Sequence, residues 1–296
     1  MFSTEKKNQS TVEKLIEAKE KARIIATDFD GTIVVTEDDY CDCLKLIQEI
    51  LECGYIFAII TARHATFLLE FVPKLQDILR KSKLTFPYVY LGTGNGSNLY
   101  KITGESCESL YRFVLTENEI SQIIRFYLSL NLETPCSGWN RWMADAHFTK
   151  WNGIISDDHF NISKATTGVW VEDCKVSVAL EEEPSLREKH IEKFKSELSK
   201  YFHVACGGDT SIDITPKLNF DSKLHAAKEI LSIENLSSDA IVTFGDRPKG
   251  NDALLLQLPF GFTNDLSFEQ RDSNPPYLLH EGSIEAVHQS IRFIIS

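Results

Sequence analysis

Short apolar runs alternate along the chain with longer stretches whose apolar positions recur at helical spacing. The runs at 23–30, 54–63 and 87–94 lack polar alternation, which is typical of parallel strands buried on both faces. The stretches at 40–53 and 64–81 have the spacing of amphipathic helices. This order predicts an α/β fold with a doubly wound parallel sheet and right-handed crossovers.

The pattern changes near residue 105. Helical spacing at 117–130 and 185–202 alternates there with strand-like runs such as 168–180, which predicts an inserted α+β domain. The parallel pattern resumes with the strand SIDITP at 211–216. We therefore predict three parts: a core at 20–104 plus 211–296, an insertion at 105–210, and an N-terminal helical extension at 1–19.

The last third of the chain repeats the strand–helix order of the first. It predicts a helix at 222–232, a strand at 240–246, a helix at 251–257, a strand at 259–264 and a final helix at 284–295. A helix is also predicted at 10–22.

Charge and cysteine content limit the classes of partner and the cellular location that we expect. The 296 residues carry a net charge of −12, so binding to nucleic acid or to an anionic membrane would be opposed electrostatically. A small phosphorylated substrate stays open, because a local cationic site outweighs a distant net charge. The seven cysteines form no C-x-x-C pair, and their odd number without a secretory signal fits a reducing, cytoplasmic location. The longest apolar stretch, near Tyr55–Ala62, is too short for a membrane span.

The first buried strand ends in the sequence DFDGT, residues 28–32. Ligands of open α/β sheets bind at the carboxyl ends of strands, and residues two apart point the same way, so Asp28 and Asp30 would face one site. Two close carboxylates need a cation, and Mg²⁺ prefers oxygen ligands of this kind. Gly31 would turn the chain and expose N–H groups to an anion. A solvated acidic turn is the alternative.

Polar residues end the other predicted strands as well. Thr61 could bind a phosphoryl oxygen or simply cap the following helix. Lys223 begins a helix, where it could face an anion or solvent. Asp246 could supply a third metal carboxylate or cap a helix, and Asn251 and Asp252 follow it closely.

Taken together, these segments resemble the four motifs of the haloacid dehalogenase (HAD) superfamily. The motifs are DFDGT, then IITAR (59–63), then the Lys223 segment, then Gly245-Asp246 with Asn251-Asp252. The resemblance implies a Rossmann-like core, and the insertion is similar to a type IIB cap. The segment 95–100 is similar to one in Cof-like members, and 174–180 and 211–216 resemble sucrose-phosphate phosphatases.

The resemblance also implies roles. Asp28 would be the nucleophile and Asp30 the general acid/base; Mg²⁺ would be held by Asp28, the backbone carbonyl of Asp30, and Asp246. Thr61, Lys223 and Asn251 would bind phosphate. Residues with supporting roles at the same site would be Gly31, Arg63, Asn95 and Asp252.

Substrate choice would lie in the insertion. Trp139, Arg141, Trp142 and Lys175 combine aromatic faces with polar groups, which suits a sugar, although aromatic residues also form cores. The expected function is a Mg²⁺-dependent phosphatase acting on a small phosphorylated metabolite, with the oligomeric state left open. The alternatives are a phosphomannomutase-like sugar phosphomutase and a non-catalytic small-molecule-binding protein.

Overall fold

The structure, a computed structural model, describes eleven stretches of the chain: 2–34, 40–63, 71–81, 84–130, 169–171, 174–179, 184–207, 211–217, 222–268, 274–279 and 281–296. Trp139, Arg141 and Trp142 lie outside these residues. The chain divides into two compact units, Met1–Arg112 with Phe220–Ser296 (the core unit) and Phe113–Asn219 (the inserted unit).

The described elements of the core unit follow in chain order: α1 (Phe2–Lys21), β1 (Ile24–Thr27), α2 (Tyr40–Glu52), β2 (Ile56–Ile60), α3 (Phe71–Lys81), β3 (Tyr88–Thr93), β4 (Asn98–Thr103) and β5 (Cys107–Arg112). The inserted unit has α4 (Glu117–Ser129), β6 (Val169–Val171), β7 (Val176–Ala179), α5 (Pro184–Leu198), β8 (Phe202–Gly207) and β9 (Ser211–Pro216). After the chain returns, the core unit continues with α6 (Ser222–Ile233), β10 (Ile241–Gly245), a 3-10 helix (Leu255–Gln257), β11 (Phe260–Thr263), β12 (Tyr277–Leu278) and α7 (Ile284–Ile295).

The core sheet has the strand order β12-β11-β10-β1-β2-β3-β4-β5. The pairs from β12 to β3 are parallel, and β3, β4 and β5 pair antiparallel at one edge. Every residue of β1, β2 and β10 is buried, because helices cover both faces. Ile25 packs into the apolar layer that includes residues of α1, α2, α3 and α7, whereas its neighbour Ile24 packs into the layer that includes α6. The predicted α/β class with a doubly wound sheet is confirmed.

The inserted unit has a sheet of order β6-β7-β9-β8, with every pair antiparallel. Its buried strand residues share one apolar cluster with α4 and α5. The inserted unit is therefore α+β, as predicted.

The assignment of 211–216 to the parallel core is wrong. The strand is present, but it pairs antiparallel with β7 and β8 in the inserted unit. Ile212 and Ile214 alternate with Ser211, Asp213 and Thr215, and this period of two is typical of an antiparallel strand with one apolar face.

Other boundaries also differ from the sequence-based expectation. The hairpin β4–β5 extends the core sheet past residue 105, and the chain enters the inserted unit at Phe113. Helix α1 begins at Phe2, and its residue Ala18 is buried in the core. The predicted helix at 251–257 is a series of turns followed by the 3-10 helix. Within the described residues, every helix lacks the length or the hydrophobicity needed to cross a bilayer.

Candidate active site

Asp28 follows directly after β1 at the carboxyl end of the core sheet. Its backbone N–H donates to the carbonyl of Phe244 on the neighbouring strand at 2.9 Å, which fixes its position against β10. Its carboxylate Oδ1 accepts from Phe29 N at 2.8 Å. The chain then turns sharply, because Gly31 has φ +73°, a region that favours glycine.

Lys223 lies in the first turn of α6 with no exposed surface. Its ammonium Nζ is 3.0 Å from Asp28 Oδ1 and 2.6 Å from Asp252 Oδ1. Burial alone would lower the pKa of Lys223, but Asp252 and Asp28 raise it above its usual value, so the side chain stays charged. The buried cation is therefore shared between two carboxylates, as the burial of charge requires.

Three carboxylates meet beside this lysine. Oxygens of Asp28, Asp246 and Asp252 all lie within 4.8 Å of one another. Burial raises the pKa of Asp28 and, to about 6, that of Asp246; Lys223 opposes the rise at Asp28, while Asp252 adds to it at both residues.

The same cluster fits a metal ion. Asp246 Oδ1 is buried and has no hydrogen-bond partner among the described residues. Crowded, desolvated carboxylate oxygens with an unused acceptor suit a hard divalent cation, which would offset their repulsion.

Asp252 is held differently from the other two. Its Oδ1 accepts from Lys223, and its Oδ2 accepts from the backbone N–H of Arg247 at 3.0 Å. A Cβ on Gly245 would come within 2.8 Å of this carboxylate, so glycine permits the close approach. Asp252 therefore anchors Lys223 and the loop after β10.

Thr61 follows β2 and is fully buried. Its Oγ1 accepts from Arg63 N at 3.1 Å, and its backbone carbonyl accepts from Asn95 N at 2.9 Å. The Arg63 side chain binds Asp30, which is not one of the three clustered carboxylates.

Asn95 and Asn251 join two distant loops. Asn251 Nδ2 donates to Asn95 Oδ1 at 3.1 Å, and both residues are buried. Asn95 holds φ +59°, which asparagine tolerates better than most residues. Asn251 Oδ1 has no partner among the described residues, so it is available to a ligand.

The structure thus places Asp28, Thr61, Asn95 and Asp246 shortly after β1, β2, β3 and β10, which are neighbours in the core sheet. Lys175 lies in the inserted unit, where its Nζ is 3.5 Å from Asp213 Oδ2, and Ser177 Oγ donates to Asp213 Oδ1 at 2.6 Å.

Asn264 was missed by sequence reasoning. It follows β11, and its Nδ2 donates to the carbonyl of Gly31 at 2.9 Å, so it supports the turn after Asp30. Its position at the end of a predicted strand is the same signal that Thr61 and Asp246 carry.

The family model described as haloacid dehalogenase-like hydrolase matches residues 25–259. The chain belongs to this family. No curated protein matches it in sequence.

Solved structures of HAD proteins share the fold. A HAD/COF-like hydrolase from Plasmodium vivax has a TM-score of 0.64 at 18% identity, covering 95% of this chain and 98% of its own. A haloacid dehalogenase-like hydrolase from Bacteroides thetaiotaomicron has a TM-score of 0.60 at 15% identity, covering 91% and 99%. A HAD subclass IIB sugar phosphatase has a TM-score of 0.55 at 15% identity, covering 91% and 100%. The type IIB HAD assignment is confirmed.

Proposed function

We propose that this HAD protein is a Mg²⁺-dependent phosphomonoester hydrolase that acts through an aspartyl-phosphate. The observation that carries the proposal is the buried Lys223 between Asp28 and Asp252, with Asp246 beside them. Burying this many charged groups costs folding free energy, and a site that does no chemistry would have no need for them.

Asp28 is the proposed nucleophile. Its Oδ1 accepts from Phe29 N and faces Lys223, so we assign the attack to Oδ2. With Asp30 protonated at the start of this step, the bond from Oδ2 to phosphorus forms while the bond to the leaving oxygen breaks, and Asp30 gives its proton to that oxygen. Water then attacks phosphorus, its proton passes to Asp30, and the Oδ2–phosphorus bond breaks to release phosphate and Asp28.

The remaining core residues bind and orient the phosphoryl group. Lys223 offsets the negative charge on Asp28 and on the phosphoryl oxygens, and Asn251 and Thr61 line the approach. Mg²⁺, held by Asp28, Asp246 and the backbone carbonyl of Asp30, would supply further charge compensation when bound.

A sugar phosphate or a similar small phosphometabolite is the proposed substrate. One structural neighbour is described as a sugar phosphatase, and the inserted unit has the cap fold of that subclass. Trp139, Arg141, Trp142 and Lys175 would select the leaving group. We propose a cytoplasmic location, because an odd number of cysteines fits a reducing compartment.

The test is a phosphate-release screen over sugar phosphates, polyol phosphates and nucleotides, with and without Mg²⁺, on the wild type and Asp28→Asn. Phosphate release that requires both Mg²⁺ and Asp28, with a phosphoryl adduct detected by intact mass in the wild type only, supports the proposal. Isomerisation of a sugar phosphate without phosphate release would indicate a phosphomutase. Binding without turnover or adduct would indicate a non-catalytic protein.

A further inference from the structure

The second aspartate of the DFDGT motif has its own cationic partner. Arg63 Nε donates to both carboxylate oxygens of Asp30, at 3.0 Å and 2.8 Å, and Arg63 Nη2 donates to Oδ1 at 2.5 Å. This two-pronged geometry fixes the plane of a carboxylate as well as its place. The Asp30 side chain is 45% exposed, so without Arg63 it would be free to change rotamer.

The backbone of Arg63 is fixed from both sides. Its N–H donates to Thr61 Oγ1 at 3.1 Å, and its carbonyl accepts from Gly94 N at 2.8 Å. The loop after β2 is therefore tied to the loop after β3, and the arginine side chain leaves a defined point.

An aromatic ring supports the guanidinium group. The Arg63 Cζ lies 5.5 Å from the centroid of Phe29, the residue between the two aspartates of the motif. Phe29 is fully buried and packs against Phe71 and Tyr40, with ring centroids 5.1 Å and 5.8 Å away. Arginine stacks on such a face and presents a rigid planar pair of donors, whereas the lysine ammonium is a compact point charge without that planar bidentate geometry.

We propose that Arg63, supported by Phe29, is a positioning residue that orients the Asp30 carboxyl group for proton transfer. The inference rests on the role of Asp30 under the proposed function. A general acid must lie within hydrogen-bond reach of the leaving oxygen, and a displacement of about 1 Å costs roughly 10²-fold in rate. Arg63 acts through Asp30, so its removal should have no effect once Asp30 can no longer transfer a proton.

The test is a double-mutant cycle with Arg63→Gln, Asp30→Asn and the double variant, on aryl phosphates of graded leaving-group pKa. Asp30→Asn should lose about 10²–10⁴-fold, more for poor leaving groups. Arg63→Gln should lose about 10²-fold with the same trend. The double variant should match Asp30→Asn. In Arg63→Ala, added guanidinium ion should restore part of the lost rate. Arg63→Lys should stay slower than the wild type, because lysine lacks the planar bidentate group.

A matched control removes another arginine pair of the core unit. Arg292 Nε donates to Glu49 on α2 at 2.8 Å, outside the active site, so Arg292→Gln should keep full activity. Thermal unfolding of each variant shows whether it is folded.

Two results overturn the inference alone. In the first, the rate loss of Arg63→Gln adds fully to that of Asp30→Asn in the double variant. In the second, Arg63→Gln is folded but has wild-type rates, or its rate loss does not depend on the leaving-group pKa. A flat leaving-group dependence in Asp30→Asn itself overturns the proposed role of Asp30, and with it this inference.

Discussion

Lys223 Nζ donates a 2.6 Å hydrogen bond to Asp252 Oδ1, and neither side chain is exposed to solvent. The two residues come from α6 and from the loop after β10, so the pair ties the third HAD motif to the fourth. Because both charges are buried, each depends on the other far more than a surface pair would.

We expect Asp252→Ala to destabilise the protein, but by less than the about 3–5 kcal/mol that a buried charge without any partner costs, because Asp28 stays 3.0 Å from Lys223. Asp252→Asn keeps an acceptor and should be affected less. Urea unfolding measures the loss. Glu49→Ala is the control, since its pair with Arg292 is partly exposed and should contribute little. An Asp252→Ala variant as stable as the wild type would contradict the buried pair.

The acidic cluster predicts a metal-dependent gain in stability. Mg²⁺ that binds only the folded state adds about 2.7 kcal/mol at a hundred times its dissociation constant. We expect the melting temperature to rise with Mg²⁺ in the wild type and to stay constant in Asp246→Asn. Chelation with EDTA should abolish turnover, and Ca²⁺ should support little of it. Full activity in EDTA would rule out the metal site.

Stability should also depend on pH through Asp246. Burial raises the pKa of this carboxyl to about 6, above its value of about 3.9 in an unfolded chain. The folded state therefore binds more protons between these values, and this group's contribution to stability is lost as the pH rises through about 6. In metal-free protein, the stability of the wild type relative to Asp246→Asn should fall between about pH 4 and pH 6. A relative stability that rises over this interval would contradict the shift.

Gly31 and Gly54 offer a matched pair of substitutions. Both have positive φ, so alanine at either should cost about 1–2 kcal/mol in backbone strain. At Gly31 the new Cβ would lie 2.5 Å from Asp246 Oδ2, whereas at Gly54 its nearest contact is 4.0 Å away. We expect Gly31→Ala to lose about 10²-fold in phosphate release and Gly54→Ala to keep the wild-type rate. Equal activity in the two variants would show that the Gly31 contact does not matter.

We expect Asn95→Gly to be more stable than Asn95→Ala. Either variant removes the acceptor for Asn251 Nδ2, which costs about 1–3 kcal/mol for a buried donor. Alanine adds the strain of φ +59°, about 1–2 kcal/mol, and glycine does not. Asn235, exposed at φ +54°, is the control, since its alanine variant should show the strain without a change in activity. Urea unfolding and phosphate release are measured for Asn95→Gly, Asn95→Ala and Asn235→Ala. Equal stability of the two Asn95 variants would contradict the strain at φ +59°.

The pattern of apolar residues along the chain was sufficient to predict the strands that are buried on both faces. Strands β1, β2 and β10 are buried throughout and almost entirely apolar. A strand covered on both faces needs such a sequence, because side chains on either face are removed from water. Because ligands bind at the carboxyl ends of such strands, the sequence alone placed Asp28 and Asp246 at one edge. The roles assigned to them stay predictions.

Only the tertiary structure decided partners and sheet membership. The pattern of 211–216 predicts a strand but not the sheet that it joins, since hydrogen bonds to β7 and β8 depend on distant segments. Lys223 is separated from Asp252 by 29 residues, and Arg63 from Asp30 by 33, so no local spacing relates them. A long polar side chain is read from sequence as solvated; it is the closing of the loops around it that removes water and selects its partner.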